Sequence, residues 1–365
     1  MVASDPYQGG ATWAVLQYVL GLRRLGHDVL LVDPARSAPD AQVAEYFGRT
    51  AGKFGIEERA ALLVETAEQS LGLPYEAVRR FASRADVLLN ISGTLRGEAL
   101  IDAIPVRVYL DLDPAFVQLW QAVEGIDMCL DAHTHFVSIS DTVGTADGPI
   151  PSCGRSWIPT LPPVVLSEWP MAECLEHDAL TTVGNWRGYG SIEHDGVHYG
   201  QKAHSLRPLM DLPTRTTEQF RLALAIHPDE VLDRAALDEN GWELLDPADV
   251  AATPDDYRCF VQGSKAELGI AKSGYVVSDS GWFSDRSACY LASGRPVIAQ
   301  DTGFGRRLPT GDGLFAFADA DDVVAAIDEL RADYDRHRAA AREIAEAHLD
   351  SDRVLRALLE RVGVA

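Results

Sequence analysis

At 365 residues the chain is too long for one ordinary core, since single cores stop growing at roughly 250 to 300 residues, and two domains are expected. A composition of 47% hydrophobic and 24% charged residues excludes a disordered chain. A net charge of -23 excludes partners that require a basic surface, nucleic acid and anionic membranes among them, so any anionic ligand must be met by a local basic cluster.

Along the chain, apolar runs ending in polar or glycine-rich turns alternate with segments of helical period, the pattern of parallel strands joined by crossover helices. The fold class is α/β. Tyr7-Gln8-Gly9-Gly10 leads into a helix over Ala11 to Leu25, followed by a strand over His27 to Val32. Only Met1 to Ser4 precede this loop, so the strand that should feed it is nearly absent; either it is very short or the true start lies upstream. Further strands are predicted at Ala61 to Val64, Asp86 to Ile91, Val106 to Leu110 and Phe136 to Ser140.

Six prolines between residues 149 and 170 stiffen the chain and forbid regular structure, which places the interdomain crossing there. The alternation then restarts, with strands at Leu180 to Val183, Arg221 to Ile226, Trp242 to Leu245, Leu268 to Ala271 and Pro296 to Ala299. From Ala320 onward the sequence is helical, with Ser351 a candidate cap for the last helix. The domains expected are 1–160 together with about 350–365, and 161–349.

No run of about 18 apolar residues occurs, and the start lacks the basic and apolar stretches of a signal peptide, so a cytoplasmic protein is expected. Five scattered cysteines without a C-x-x-C pair indicate neither a disulfide framework nor a zinc site.

In parallel sheets, ligands sit beyond the carboxyl ends of the strands, and this rule sorts the candidate residues. Of 32 basic residues only four are lysines, and Lys272 follows the strand Leu268 to Ala271. Beyond it, the loop through Asp279 reaches a helix opening on Asp285-Arg286-Ser287. A helix N-terminus with an arginine fork is suited to a diphosphate; the competing reading is a simple cap with Arg286 in solvent. Arg187, in Gly184-Asn185-Trp186-Arg187-Gly188-Tyr189-Gly190, and Lys202 follow the strand Leu180 to Val183 and are candidates for the same phosphates, against a solvated loop. His194, His198 and His204 lack a metal-ligand pattern, and no metal is expected.

The segment Gly281 to Gly303, above all Tyr290-Leu291-Ala292-Ser293-Gly294-Arg295-Pro296-Val297-Ile298-Ala299, resembles the C-terminal donor segment of GT-B glycosyltransferases of the group 1 or family 4 type. The terminal helices and the Gly9-Gly10 loop before a long helix are similar to that family as well. The resemblance implies two Rossmann-like domains with parallel sheets facing across a cleft and C-terminal helices crossing back. It also implies transfer of a sugar from a nucleotide diphosphate sugar held by the second domain, without a metal or other cofactor, to an acceptor on the first. The acceptor expected is a small molecule, such as a natural product or an amino sugar in bacterial secondary metabolism. One departure stands out: where many retaining members carry a pair of glutamates, this chain has Gly281 and Cys289, with Asp279 and Asp285 near enough in sequence to substitute.

On the acceptor side, Asp111 and Asp113 follow the strand Val106 to Leu110. Either is a candidate general base, Asp111 the preferred one, against the reading of a cap and proline entry to a helix. Gly9 and Gly10 would let the backbone approach the reacting sugar. His227 lies at a carboxyl end on the donor side, whereas His133 and His135 precede their strand. Three rivals remain: a sugar-nucleotide epimerase or cyclitol transferase on the same scaffold, a non-catalytic nucleotide-sugar-binding protein, and a dinucleotide oxidoreductase, the weakest because no G-x-G-x-x-G follows a strand.

Overall fold

The computed structural model describes residues 2, 3, 5–35, 37–64, 67–145 and 148–364; Met1 and Ser4 of the opening segment and Ala365 of the last one lie outside the described residues. Fifteen strands are found among them. The first half holds β1 (Leu31–Ala35), β2 (Ala60–Val64) and β3 (Gln69–Gly72) in one sheet, then β4 (Val87–Ile91), β5 (Val106–Asp111), β6 (His135–Ser138) and β7 (Trp157–Pro159) in a second, ordered β4-β5-β6-β7 and wholly parallel. The second half holds β8 (His177–Asn185), the antiparallel hairpin β9 (Ile192–His194) and β10 (Val197–Tyr199), β11 (Phe220–Ala225), β12 (Glu243–Leu245), β13 (Ser264–Gly269), β14 (Val297–Gln300) and β15 (Leu314–Phe317). Apart from the hairpin these form one parallel sheet of order β12-β11-β8-β13-β14-β15.

This is the expected α/β architecture of two Rossmann-like halves. The strand residues explain it: β2, Ala-Ala-Leu-Leu-Val, is buried at every position, and Ala266, Leu268, Ile270, Val297 and Ile298 are wholly enclosed. Unbroken apolar runs of this kind suit a sheet covered by helices on both faces.

Several boundaries differ from expectation. β1 begins at Leu31 and not at His27, because residues 27–30 hold no strand pairing. The proline-rich stretch does admit regular structure: β7 pairs at the sheet edge, where the missing proline N–H costs nothing. The last helix, Ser351–Arg361, is capped by Asp350, whose side chain accepts from Asp352 N at 3.0 Å, so that Ser351 is its first residue and not its cap.

That helix crosses back as anticipated. Leu355, Leu358 and Leu359 are buried with Tyr18 of the opening helix (Gly9–Arg24) and with Val108, Leu110 and Val137 of β5 and β6. The two halves also share one apolar cluster in which Trp13 meets Trp169 edge to face at a 5.0 Å centroid distance, and the Trp13 indole N–H donates to the carbonyl of Pro254 at 2.7 Å.

Leu355 is fully enclosed between the opening helix and the first-half sheet. Leu355→Ala is expected to cost about 3 kcal/mol of unfolding free energy through lost transfer energy and a residual cavity, as read from urea denaturation.

Candidate functional site

The carboxyl ends of β5 and β6 from the first half face those of β8 and β13 from the second. Here the halves touch through charged and aromatic side chains. Asp113, two residues beyond β5, receives Lys272 Nζ at 3.0 Å on each carboxylate oxygen. The hydroxyls of Tyr189 and Tyr275 donate to the same carboxylate. The Lys272 ammonium lies 4.2 Å from the centroid of the Tyr189 ring, 5.1 Å from Phe116 and 5.3 Å from Tyr275, three faces that attract a cation. Burial, with Asp113 next in weight, raises both phenol pKa values, so Tyr189 and Tyr275 stay protonated and donate.

Beneath this pair lies a second basic group. Arg286 Nε donates to Glu267 of β13 at 2.5 Å, and Nη1 donates to the carbonyl of Val183 in β8 at 2.8 Å. Burial is the largest influence and by itself lowers the arginine pKa, but Glu267, Tyr257 and Tyr290 together raise it, and the guanidinium stays charged. The expected helix start is correct: Asp285–Ala292 is helical, and the Ser284 side chain accepts from Arg286 N at 3.2 Å. The side chain of Arg286 is buried and not in solvent.

Lys202, from the start of helix Lys202–Leu206, is 8% exposed and donates to the carbonyl of Ile270. Burial, then the nearby Arg286, lowers its pKa well below the usual lysine value. Lys202 and Arg286 meet over Gly184, where an added Cβ would lie 3.3 Å from Lys202 Cε and 3.7 Å from Arg286 Nη1. Lys202, Lys272 and Arg286, far apart in sequence, therefore converge at the ends of β8 and β13.

The other candidates fall elsewhere. Arg187 is held at the rim by Glu230 at 2.5 Å. His227 is largely exposed, with Asp229 at 3.5 Å. Asp279 and Asp141 clasp Arg306 from opposite halves, at 2.7 Å and 2.8 Å. Ser287 is buried one residue beyond Arg286, and Asp285 is half-buried, its carboxyl pKa raised by burial. The helix start opens on a recess of about 10 Å³ bordered by Trp282, Ser284, Arg286, Ser287 and Gln300, room for about one water molecule. That recess is far smaller than a diphosphate.

Two expectations need correction on geometric grounds. Asp111, the preferred base, is the last residue of β5 and is wholly buried; its carboxylate accepts from Gln118 Nε2 at 2.9 Å, Ser138 Oγ at 2.8 Å and Asp113 N at 2.9 Å. A carboxylate so enclosed does not face the cleft, whereas Asp113, bonded to Lys272, does. Gly9 and Gly10 do not face the cleft opening either. Gly9 N donates to the carbonyl of Ala251 at 2.9 Å, and a Cβ there would lie 2.2 Å from the Thr253 carbonyl oxygen, so glycine serves close packing of the opening helix on the second half.

The positions matching the absent glutamates are also explained. Gly281 has a φ of 71°, and a Cβ would lie 2.1 Å from Asp141 Oδ1 across the interface. Cys289 is buried, 3.6 Å from Gln17 Nε2. Gly281 thus has no room for a side chain, and Cys289 is enclosed.

Sequence reading missed Glu267, Tyr189, Tyr275 and Phe116. Glu267 alone left a signal, as an acid inside an apolar run; among the described residues its Oε2 has no hydrogen-bond partner, and the same is true of Gln201 Nε2 and Ser273 Oγ beside the two lysines. Tyr189 was lost in a glycine-rich loop. His133 is structural, bonded to Asn90 at 3.0 Å and to the Cys129 carbonyl at 2.8 Å.

No family model matches the sequence, and no curated protein matches it. Solved structures do. HepE from Anabaena in complex with UDP and glucose superposes with a TM-score of 0.61 at 11% identity over 97% of this chain and 95% of that one. HepE with UDP-glucose gives 0.57 at 12% identity over 97% and 95%. A glycosyltransferase from Rickettsia africae ESF-5 gives 0.55 at 12% identity over 97% and 94%. The chain has the GT-B fold.

Burial pushes the Asp111 carboxyl up to about 6. An unfolded aspartate ionises near 3.9, so between about pH 4 and pH 6 the folded chain holds a proton that the unfolded chain has lost, and stability falls as pH rises. Asp111→Asn removes this contribution. Its urea-derived stability relative to the parent should improve across that window by up to ~1.4 kcal/mol per pH unit, and should be flat above it.

Proposed function

We propose that this protein transfers a glycosyl group from a nucleotide diphosphate sugar to a small-molecule acceptor, without a metal. The observation that carries the reading is the convergence of Lys202, Lys272 and Arg286 at the carboxyl ends of β8 and β13. Three basic side chains at a partly desolvated strand end, above a helix N-terminus, are suited to the charge that develops on a departing diphosphate. The fold supports it, since ligands in such folds sit beyond the strand ends. HepE was solved with UDP and with UDP-glucose, so uridine is the nucleotide to try first. Donor residues would then come from 161–349 and acceptor residues from 1–160, with 350–365 returning to the first half.

In this reading the domains part, the donor enters, and Lys272 exchanges Asp113 for the diphosphate. Asp113, released at the end of β5, is the group placed to take the acceptor proton as the glycosyl bond forms. Tyr189 and Tyr275 then orient that carboxylate. Asp111 fixes the turn that presents Asp113, through the 2.9 Å bond from Asp113 N. A natural-product or amino-sugar acceptor and a cytoplasmic setting belong to the same proposal; among the described residues no helix is long and apolar enough to cross a membrane.

Lys272→Ala and Lys202→Met should each weaken UDP binding tenfold or more, about 1.4 kcal/mol, while leaving uridine affinity nearly unchanged. Equal small losses for both ligands would remove the phosphate assignment. Incubation with UDP-glucose and a panel of acceptors separates transfer from epimerisation, which alters the donor with no acceptor present. Asp113→Asn should abolish transfer.

A bound diphosphate favours the charged form of Lys202, which burial disfavours in its absence. Calorimetry over a series of pH values up to the usual lysine range, in buffers of different ionisation enthalpy, should therefore show a component of proton uptake on UDP binding that is absent in Lys202→Met. Buffer-independent heats in the parent protein would contradict it.

A further inference from the structure

A cavity of about 500 Å³ lies outside the cleft, between β1 and β4. Leu31 to Pro34 line one side and Val87 to Ile91 the other. Among the described residues β1 pairs only with β2, and β4 only with β5, so both are edge strands there, and the two edges border the same space. One wall is the opening helix with Tyr18 and Leu22 and, beside it, Leu359 from the last helix; the other is helix Tyr75–Ala82 with Val78 and Phe81.

Two facing edges under helical cover are unusual for a parallel sheet. In such a sheet every other peptide group points to each neighbour, so half of those on β1 and β4 turn toward the cavity without a strand partner. Apolar exposure follows the same line: β2 is buried throughout, whereas Val87, Leu88 and Leu89 of β4 are only half-buried, and all three border the cavity.

We infer that this slot is the seat of one further parallel strand, about six residues long and apolar on both faces, supplied by polypeptide running directly into Val2. The length follows from the five-residue edges that it must span at roughly 3.3 Å per residue. The apolar character follows from helices on both faces. The source follows from the anchoring of Val2 and Ala3. Both are buried, and their N–H groups donate to Asp33 Oδ2 of β1 at 3.0 Å and 2.6 Å, beside the slot. From there the chain passes through Tyr7 to Gly10 into the helix that roofs the slot and on to β1. A strand in the slot, that helix and β1 make one β-α-β crossover, the connection that parallel neighbours require. At the opposite end the cavity is bordered by His27, Asp28, Arg84 and Asp86, polar residues suited to the amino end of an entering strand.

Three forms test this: the 365-residue chain, the same chain with six alternating valine, isoleucine and leucine residues fused ahead of it, and that extension with proline at its centre. The apolar extension should raise Tm by ~5 °C or more and slow amide exchange at least tenfold in Leu31 to Ala35 and Val87 to Ile91. Proline, excluded from central strands, should abolish both effects. Unchanged Tm and exchange on extension, or equal protection from the proline form, would overturn the slot as a strand seat. Equal protection by the same six residues added as a free peptide would overturn their supply from the amino end.

Discussion

The ion pair between Lys272 and Asp113 is the contact on which the cleft depends. It joins the carboxyl end of β5 in one half to the residue that precedes helix Ser273–Val277 in the other, with the ammonium among three aromatic rings. Both side chains are only about a fifth exposed, at 23% and 21%, so the pair is less screened than a surface bridge, and losing one partner leaves the other poorly solvated. That makes it a contact to be exchanged for another and not simply broken. A dianionic ligand offers such an exchange to Lys272.

The rest of the interface is consistent with a joint that opens on one side. Away from the cleft the halves are fused through Trp13, Trp169 and Tyr257, which are apolar and nearly inaccessible. Near the cleft they meet through polar contacts: Arg306 between Asp141 and Asp279, and Ser140 Oγ donating to the Ser280 carbonyl at 2.5 Å. Polar contacts are readily replaced by water, whereas an apolar cluster is not, so the cluster has the character of a hinge.

Much of this was legible in the sequence. Alternation of apolar runs with helical segments gave the parallel strands of both halves, and the strand-end rule pointed Arg187, Lys202, Lys272 and Arg286 to one place, of which Arg187 is instead held by Glu230. What failed has identifiable causes. Asp111 and Asp113 are two residues apart and alike in type, and only the strand boundary shows that the first is enclosed while the second emerges. Gly9 and Gly10 read as a ligand loop because the Thr253 carbonyl and the Tyr257 ring that they respectively pack against are more than two hundred positions away. The aromatic roof over Lys272 is drawn from three segments with no local signature, since Phe116 and Tyr275 look like ordinary core residues in their own neighbourhoods and Tyr189 lies in a glycine-rich loop.

The exchange of Lys272 between Asp113 and a diphosphate is tested most directly by UDP affinity in a double-mutant cycle. The parent, Asp113→Asn, Lys272→Met and the double variant would be titrated under one set of conditions. If Asp113 competes with the diphosphate for the ammonium, Asp113→Asn alone tightens UDP binding, and the gain disappears when Lys272 is methionine. An affinity unchanged by Asp113→Asn, or a gain of the same size in both backgrounds, would contradict the account.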